Sequence, residues 1–367
     1  MTSRNAAKHK LLELYVTKAR AIAPTVRIAV ICSVRGKTNP SSDYDRQSID
    51  SRFYSLEEAD EFLASLRRAG FLVVPFFSEN EFITWVLEGH YLRSEKRLLV
   101  VSTGSSFSGV GSKSLIPAFC ALHHLYNVGP DTHIASLARH KYHTNLILRS
   151  LGDVVPESWF YDPQTGWVGG ITPSPGRQII LKPAHEGASI GIDENSTVIV
   201  DQSLTNRVVA IASEFRQPVV LQEFIPGYEI EVPLFCTPKP QAMIPVGISV
   251  DGSKLMAERV LTYAITKSGA YGFWNCESKL PVKTIEYISH LAEACADILS
   301  LRDLARVDFR VTAGGSAKVI DISTSPYLSS HTSFAFATSA CGAAPSDLPV
   351  LLVGLAAARL GLIDHPQ

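Results

Sequence analysis

Short apolar runs and amphipathic stretches alternate along the first hundred residues. The runs are rich in β-branched residues, which is typical of buried parallel strands. They cover 27–34, 71–77 and 97–102, and helical patterns cover 55–70 and 79–95. Ser55 and Glu58 form a capping box that predicts the start of the first helix. This alternation predicts an open, helix-flanked parallel sheet of the α/β class.

The pattern changes in the second half of the chain. Asp131 can cap a helix that runs through Leu151, and a Gly- and Pro-rich stretch, 163–176, follows, near which we expect a domain boundary. From residue 178 the order is strand, glycine loop, strand, helix, strand, and 228–250 has the pattern of an antiparallel meander. The second half is therefore α+β. We expect three regions, 1–130, 131–226 and 227–367.

Two apolar runs near the C-terminus each contain one carboxylate. Arg306-Val307-Asp308 belongs to the first and Val319-Ile320-Asp321-Ile322-Ser323 to the second. A charge within a strand is costly to bury unless a cation compensates it. We expect two neighbouring strands whose aspartates hold Mg²⁺ beside an anionic phosphate. Strand-end aspartates that face solvent are the alternative.

A lysine and a glycine-containing loop form a second candidate site. Lys182 ends a strand and is followed by the loop 183–191, with Glu186, Gly187, Ser189 and Gly191. Glycines allow close backbone approach, and amide N–H groups with an ammonium suit a polyphosphate. The loop lacks the G-K-[ST] ending of a Walker motif. A hairpin turn with a chance lysine is equally consistent with this segment.

Two further segments are candidates for ligand contact. The run 220–229 is an apolar strand that turns at Pro226-Gly227 and then presents Glu229, which suits a flat ring and a ribose. A plain strand–turn–strand with a solvent-facing Glu229 is the alternative. The Gly/Ser-rich loop 103–114 follows a predicted parallel strand, where ligands commonly bind, and is a candidate substrate wall. It can equally be a flexible surface loop.

Composition narrows the function class. The 367 residues have a formal net charge of -1 and a pI near 6.8, so no electrostatic footprint for nucleic acid or an anionic membrane is visible. The six cysteines are scattered without a C-x-x-C pair, as expected for small buried hydrophobes in a reducing cytoplasm. Residues 8–23 carry charges throughout, unlike a signal peptide, and 350–363 reads as a packed helix.

The order and spacing of these pieces resemble the ATP-grasp superfamily, and within it the D-alanine–D-alanine ligases, over residues 134–334. The resemblance implies an ATP-grasp fold with an N-terminal parallel sheet, a small central lid domain and a C-terminal antiparallel domain. It assigns the ATP phosphates to Lys141, Lys182, Glu186, Gly187, Ser189 and Gly191, the adenine to Gln222, Glu223, Phe224 and Ile225, and the ribose to Glu229. It assigns Mg²⁺ to Asp308, Asp321 and Ser323, catalysis to Arg306 and Lys267, and the second substrate's carboxylate to Ser330 and Thr332.

The chain also departs from these ligases. They usually carry Glu where this chain has Asp321, Asn where it has Ser323, and Gly where it has Tyr327, which would crowd the oxyanion region. Aspartate has one methylene less reach, so a shifted or water-completed Mg²⁺ shell is expected. The N-terminal glutamate that anchors the amine of the first D-alanine has no evident counterpart in 35–45. The acidic residue of the family's H-G-x-x-G-E-D loop is missing from 103–114. These losses argue against D-alanine as the substrate.

The expected function is an ATP-dependent carboxylate–amine ligase with an acyl-phosphate intermediate, releasing ADP and phosphate. Its partners would be a small-molecule carboxylate and amine, with no nucleic acid and no membrane, in a cytoplasmic protein. A homodimer is usual for such ligases. The altered substrate wall favours a specialised ligase, in natural-product assembly or amino-acid modification. A ligase acting on a peptide or protein terminus and a non-catalytic ATP-binding protein are the alternatives.

Overall fold

A computed structural model describes residues 3–41 and 43–365, which form three β-sheets and eleven α-helices. The helices are α1 (Ser3–Ile22), α2 (Leu56–Arg68), α3 (Glu79–Leu87), α4 (Leu115–Leu122), α5 (Thr132–Leu137), α6 (Lys141–Leu148), α7 (Leu204–Phe215), α8 (Tyr263–Ser268), α9 (Val282–Ile298), α10 (Ser333–Ala340) and α11 (Leu348–Arg359). The strands are β1 (Val26–Ile31), β2 (Leu72–Phe76), β3 (Arg97–Ser102), β4 (Tyr126–Val128), β5 (Ser158–Asp162), β6 (Gly166–Trp167), β7 (Gln178–Pro183), β8 (Thr197–Ile199), β9 (Val219–Glu223), β10 (Tyr228–Phe235), β11 (Gln241–Ala242), β12 (Val246–Val250), β13 (Tyr271–Asn275), β14 (Leu304–Val311) and β15 (Ala317–Ser323).

The first sheet confirms the predicted open parallel sheet. Its order is β2-β1-β3-β4, and each neighbouring pair is parallel. One core contains Tyr15 of α1, Leu63 of α2 and Leu355 of α11, and the core of the opposite face contains Phe82 of α3 and Ile116 of α4. The predicted capping box begins α2. Helices on both faces leave the carboxyl ends of β1 and β3 at one open edge, where a site can form.

The second sheet is antiparallel, with the order β6-β5-β9-β7-β8. Helix α7 packs on it through Val208. The Gly- and Pro-rich stretch 163–176 begins after β5 and ends before β7, and both strands belong to this sheet. The domain boundary expected near that stretch is therefore wrong. The sheets change after β4 and again between β9 and β10.

The third sheet holds the two carboxylate strands. Its order is β13-β12-β10-β14-β15, with β11 also paired to β10, and its neighbours are antiparallel. Helix α9 packs against it through Ile288. As predicted, β14 and β15 are adjacent. Their register sets Asp308 opposite Asp321, with an irregularity directly after Asp308. The last helix, α11, returns to the core of the first sheet.

Two predicted helices are interrupted. The helix expected from 131 to 151 is two helices, α5 and α6, because the chain turns at Arg139 and His140. The ring of His140 accepts a hydrogen bond from the backbone N–H of His143 and caps α6. The N–H of Lys141 donates to the carbonyl of Ala184, 3.3 Å away, which ties α6 to the second sheet. The helix expected over 79–95 ends at Leu87, followed by a short 3₁₀ helix at His90–Arg93.

The cysteines are buried, as the sequence predicted. All six are unpaired and buried. Within 3–41 and 43–365, no single helix has both the length and the apolar character needed to cross a bilayer. Only α10 together with 345–359, bent by 119°, meets those criteria, as a pair.

Candidate active site

A cavity of about 540 Å³ opens where the three sheets meet. Its wall includes the loop after β3, the start of α6, the end of β7, the turn between β9 and β10, and the paired strands β14 and β15. Sixteen of the predicted site residues line it, namely Lys141, Lys182, Glu186, Gly187, Ser189, Gln222, Glu223, Phe224, Ile225, Glu229, Lys267, Arg306, Asp308, Asp321, Ser323 and Thr332. The fold therefore brings together predicted residues that range along the chain from Lys141 to Thr332.

The two aspartates face each other across β14 and β15, and each has a basic partner. Asp308 accepts two hydrogen bonds from Arg306, at 2.7 and 2.8 Å, and Arg306 also lies 3.0 Å from Glu231. Burial raises the pKa of Asp308 above its usual range; Arg306 opposes that shift and Glu231 adds to it. Arg306 is therefore the cation that compensates the buried carboxylates of Asp308 and Glu231.

Two lysines oppose Asp321. The ammonium of Lys141 donates to both carboxylate oxygens, at 3.2 and 3.0 Å. Burial disfavours the charged form of Asp321, but Lys141 and Lys182 outweigh it and hold the pKa of Asp321 below its usual range. Burial lowers the pKa of Lys182 to about 8, with Asp321 opposing the shift. The result is a compact group of alternating charges at the bottom of the cavity.

The glycine loop after β7 passes over this group. Ala188 and Ser189 both adopt positive φ angles, 53° and 54°. Gly191 has φ +82°, and a Cβ there would lie 2.2 Å from Cγ of Pro183. Its N–H donates to the side chain of Gln47, 2.7 Å away. Gly191 does not line the cavity; it shapes the loop that does, and this differs from its predicted ligand contact.

The last part of β9 presents a buried side chain whose amide has no hydrogen-bond partner. Gln222 is 1% exposed, and both its amide nitrogen and its amide oxygen lack hydrogen-bond partners. Nearby, Arg310 donates to the carbonyl of Ile225 at 2.9 Å and to Glu229 at 3.2 Å. Arg310 thereby fixes the positions of both predicted contacts. An unpaired buried amide is costly, so Gln222 is prepared for a polar ligand.

Of three further predicted residues, Ser330 lies outside the cavity wall, whereas Thr332 and Lys267 line it. Ser330 is exposed and does not line the cavity, whereas the neighbouring Ser329 does. The hydroxyl of Thr332 caps α10 by accepting from Ala335, 3.2 Å away, and donates to the carbonyl of Ser329 at 3.0 Å. The hydroxyl of Thr332 therefore already makes two hydrogen bonds within the protein. Lys267 lies in α8 at the cavity wall, with its ammonium 5.5 Å from the ring centre of Tyr263.

Glu186 has a different environment from the one predicted. Its carboxylate accepts from the hydroxyl of Tyr44 at 2.6 Å and from Arg52 at 3.2 Å, and it lies 3.8 Å from Arg139. Gln217 donates to it at 3.3 Å. These partners satisfy the carboxylate and link the second sheet to the N-terminal part. These contacts give Glu186 a connecting role, and its predicted contact with ATP stays a prediction.

Tyr327 lines the cavity and is held by residues of the N-terminal part, while the crowding of the oxyanion region stays a prediction. Its ring stacks on Tyr54, with centroids 4.0 Å apart, and its hydroxyl donates to Glu58 at 2.6 Å. Arg35 lies 3.6 Å from the same carboxylate. An acidic residue therefore does reach the cavity from the N-terminal part, in the helix after the segment 35–45 where the sequence offered none.

Sequence reasoning missed several charged residues of the cavity wall. These are Arg35, Arg52, Glu58, Lys113, Arg139, Glu231 and Arg310. A signal existed for two of them, since strand side chains alternate with period 2. Arg310 follows Arg306 and Asp308 on the same face of β14, and Glu231 follows Glu229 on β10. The others come from loops and helix ends, where no periodicity marks a direction.

Comparison with protein families places this site in context. The family model described as D-ala D-ala ligase C-terminus matches residues 152–354, more than half of the 367 residues. That range includes the glycine loop, the turn after β9, and both carboxylate strands. The D-alanine–D-alanine ligase of Aromatoleum aromaticum is 25% identical over 214 residues, which are 58% of this chain and 65% of that protein. The chain thus spans less than two thirds of the first curated relatives it matches.

Solved structures show the same fold at low identity. A D-alanine–D-alanine ligase from Bacillus anthracis, complexed with ATP, superposes with a TM-score of 0.66 at 18% identity, covering 91% of this chain and 98% of the other. The VanG D-Ala:D-Ser ligase from Enterococcus faecalis has a TM-score of 0.62 at 17% identity, covering 90% and 99%. The parallel N-terminal sheet and the two antiparallel sheets are therefore an ATP-grasp fold.

Proposed function

Because the chain belongs to the D-alanine–D-alanine ligase family, as the match to its C-terminal model shows, we propose that it is an ATP-dependent ligase joining a carboxylate to an amine. One observation supports this most directly. Asp308 and Asp321 face each other on adjacent strands, beside Lys141 and Lys182, within a single cavity. Paired acids beside paired lysines suit a magnesium-bound polyphosphate.

The nucleotide fits the side of the cavity formed by the second sheet. The unpaired amide of Gln222 has both a donor and an acceptor, which match the edge of an adenine ring. Glu229, fixed by Arg310, can accept from ribose hydroxyls. Lys141, Lys182 and the loop 187–191 would contact the phosphates. In this arrangement the chain holds the nucleotide at its base, its sugar and its phosphates.

The donor set also fits magnesium. Asp308, Asp321 and Ser323 offer only oxygen atoms, the ligands that a hard cation prefers. Asp308 and Asp321 are now neutralised by Arg306 and Lys141, and a bound cation would share them with these residues. Magnesium would neutralise charge on the transferring phosphoryl group. The shorter Asp321 makes one ligand contact through water the expected arrangement.

The reaction assigned to this site has two steps. The substrate carboxylate attacks the γ-phosphate of ATP, giving an acyl phosphate and ADP. The amine then attacks the acyl carbon, the C–O bond to phosphate breaks, and phosphate leaves as the nitrogen gives up a proton. Arg306, Lys141 and Lys182 position the reacting groups and offset their negative charge. Lys267 of α8 lines the same cavity and is the second residue proposed for catalysis.

The carboxylate substrate is proposed to differ from D-alanine. Seven acidic residues line the cavity among the described residues, and each already has an arginine or lysine within 3.6 Å. Glu58, the acid nearest the N-terminal sheet, also binds Tyr327. A free ammonium group of an amino acid would therefore have to displace an existing ion pair. Among the N-terminal residues that the structure describes, Glu58 is the acid at the cavity wall, and it is already paired with Arg35.

The decisive experiment is a screen of carboxylic acids and amines with Mg-ATP, following nucleotide products and new masses. We expect ADP and phosphate only when both an acid and an amine are present. AMP and pyrophosphate would reject the acyl-phosphate route. Lys182→Met should reduce ADP release about 100-fold or more, because it removes a charge at the phosphates. Lys10→Met, on the exposed face of α1, is the matched control.

Two other functions would give distinct results in the same screen. A ligase acting on a peptide or protein terminus would release ADP with peptides and not with small acids. A non-catalytic ATP-binding protein would bind ATP tightly and release no ADP with any pair. Synthesis of D-alanyl-D-alanine at a rate matching the best pair would show that D-alanine is a substrate after all.

A further inference from the structure

Two arginines converge on a single acid at the wall of the cavity, and a lysine lines the same wall. Arg52 lies 3.2 Å and Arg139 lies 3.8 Å from the same oxygen of Glu186. Lys113, from the loop after β3, completes this group, which we call the basic subsite (Arg52, Lys113, Arg139). All three residues and Glu186 line the cavity. They come from three separate segments, so the fold assembles the subsite.

The guanidinium groups of the basic subsite have unused donors. The side chains of Arg52 and Arg139 are 10% and 9% exposed. Nε of Arg52, and both Nε and Nη2 of Arg139, are buried without a hydrogen-bond partner. Leaving buried donors of charged groups unsatisfied is costly. Buried donors that lack partners at the wall of a cavity suit a ligand that supplies hydrogen-bond acceptors.

Charge in this region is unbalanced. Nine lysines and arginines line the cavity against seven acids, and the acids other than Glu186 pair with residues outside the basic subsite. Burial, and then the neighbouring Arg139 and Arg52, lower the pKa of Lys113 to about 7. The same causes, burial first and then Arg52, lower the pKa of Arg139 to about 10. These cations repel one another, and an added anion would relieve that repulsion.

The basic subsite borders the reaction centre without belonging to it. The ammonium of Lys113 lies 3.5 Å from the carbonyl of Ser325, two residues beyond Ser323. On the other side, a Cβ at Gly187 would lie 3.3 Å from Nη1 of Arg139. A molecule with its reacting carboxylate near Arg306 can therefore extend a second group toward Arg139. Lys141 and Lys182 already supply the cations expected for the ATP phosphates.

We propose that the carboxylate substrate carries a second anionic group, a carboxylate or a phosphate, which the basic subsite binds through Arg52, Lys113 and Arg139. This inference rests on the proposed ligase function and names its substrate class. The second anion distinguishes this chain's substrate from a simple amino acid. Glu186, held by Tyr44 and Gln217, fixes the direction of the two arginines.

The test compares acids with neutral analogues of nearly equal shape. The pairs are succinate with succinamate, glutarate with glutaramate, and 2-phosphoglycolate with glycolate, none of which carries an ammonium group, each with Mg-ATP and an amine pool. ADP release should favour the anionic member by about 100-fold or more in kcat/KM, because a site built for a polar group rejects the analogue that lacks it. The carboxylate pairs and the phosphate pair separate the two sources of the anion.

Variants then assign the preference to the basic subsite. Arg139→Met and Lys113→Met should each remove at least about 10-fold of that preference and leave the KM for ATP unchanged. Arg67→Met, an exposed arginine of α2, is the control. Should Arg139→Met fail to fold, Arg139→Lys, which keeps the charge but loses the planar fork, should show an intermediate preference.

The outcomes separate the two proposals. ADP release from neutral and anionic members at similar rates overturns the second-anion inference and keeps the ligase function. A raised KM for ATP in Arg139→Met, with the preference unchanged, assigns the basic subsite to the nucleotide and also overturns it. No ADP from any pair rejects the ligase; the anion site then stands only if these acids raise the melting temperature of wild type and not of Arg139→Met.

Discussion

At the scale of single residues, the aspartates on β14 and β15 give the sharpest prediction about the metal. Asp308→Asn and Asp321→Asn each replace an anionic oxygen ligand with a neutral one. Each should increase the Mg²⁺ concentration needed for half-maximal ADP release by about 10-fold or more. Ser323→Asn, which restores the amide usual in the family, should keep or lower that concentration. Unchanged magnesium titrations in both aspartate variants would mean that these carboxylates only balance Arg306 and Lys141.

Lys113 gives a prediction about stability and pH. Its pKa falls from 10.5 to about 7 in the folded chain. Between these values the unfolded chain binds more protons, so this lysine destabilises the fold fully below about pH 7 and not at all above about pH 10.5. Lys113→Met should therefore raise the free energy of unfolding by about 1 kcal/mol or more at about pH 6.5.

The pH dependence of that gain is the critical measurement. Urea unfolding of wild type and Lys113→Met should give curves that converge as the pH rises toward about 10.5. Lys113→Arg keeps the charge and should show no such gain. A constant difference across the pH range would show that packing, and not the buried charge, sets the effect. A role in binding an anion would explain why a lysine that destabilises the fold lies at the cavity wall.

At the scale of elements, the glycine loop depends on one backbone conformation. Gly191→Ala introduces a Cβ 2.2 Å from Cγ of Pro183 at φ +82°. The loop must shift, and its N–H would lose the bond to Gln47. ADP release should fall about 10-fold or more, with stability reduced by about 1–2 kcal/mol.

Gly361→Ala is the matched control for Gly191→Ala. Gly361 also has a positive φ, +68°, but has open space around it and lies beyond the end of α11. It should lose a similar amount of stability from backbone strain and keep full ADP release. Equal losses of activity in both variants would show that the glycine loop has no special role in ADP release. Kinetics and thermal unfolding on the two proteins decide this.

The elements also show how far sequence reasoning reached. Strands with period-2 charges were predictable: Arg306 and Asp308 lie on one face of β14, opposite Asp321, because side chains alternate along a strand. The break of the expected helix 131–151 was not predictable. It occurs at Arg139 and His140 and depends on contacts with the second sheet. That break positions Arg139 at the basic subsite. The periodicity of a sequence shows which face of one helix or strand is buried. A break such as the one at Arg139 follows from tertiary contacts.

At the scale of the whole molecule, the three-sheet architecture followed from the order of the segments, and most of the residues predicted for the site line the cavity. What the sequence did not reveal is how the N-terminal part reaches the glycine loop. The segment 43–52 bridges them: Tyr44 bonds Glu186, Gln47 bonds Gly191, and Arg46 pairs with Glu214. Such contacts join residues more than 140 positions apart. No local pattern in the segment marks its distant partners.

The contacts of segment 43–52 lead to a prediction about how the N-terminal part and the second sheet are held together. Tyr44→Phe removes a hydroxyl that donates to Glu186 at 2.6 Å and accepts from Gln217 at 3.0 Å. A lost buried hydrogen bond to a charged group costs about 1–3 kcal/mol. Because this bond joins the N-terminal part to the second sheet, the loss should favour opening between them. Hydrogen–deuterium exchange should rise in peptides covering 184–192 and stay constant in α9.

The kinetic consequence distinguishes closure from general weakening. If segment 43–52 holds the glycine loop over the nucleotide, Tyr44→Phe should raise the KM for ATP several-fold, since part of the binding free energy now closes the cavity. Tyr161→Phe, at an aromatic contact with Trp167 inside the second sheet, should change neither exchange nor KM. Saturating ATP should return the exchange of 184–192 in Tyr44→Phe to the wild-type level. Exchange that rises equally in α9 would instead indicate global destabilisation, and the bridge would then be an ordinary packing contact.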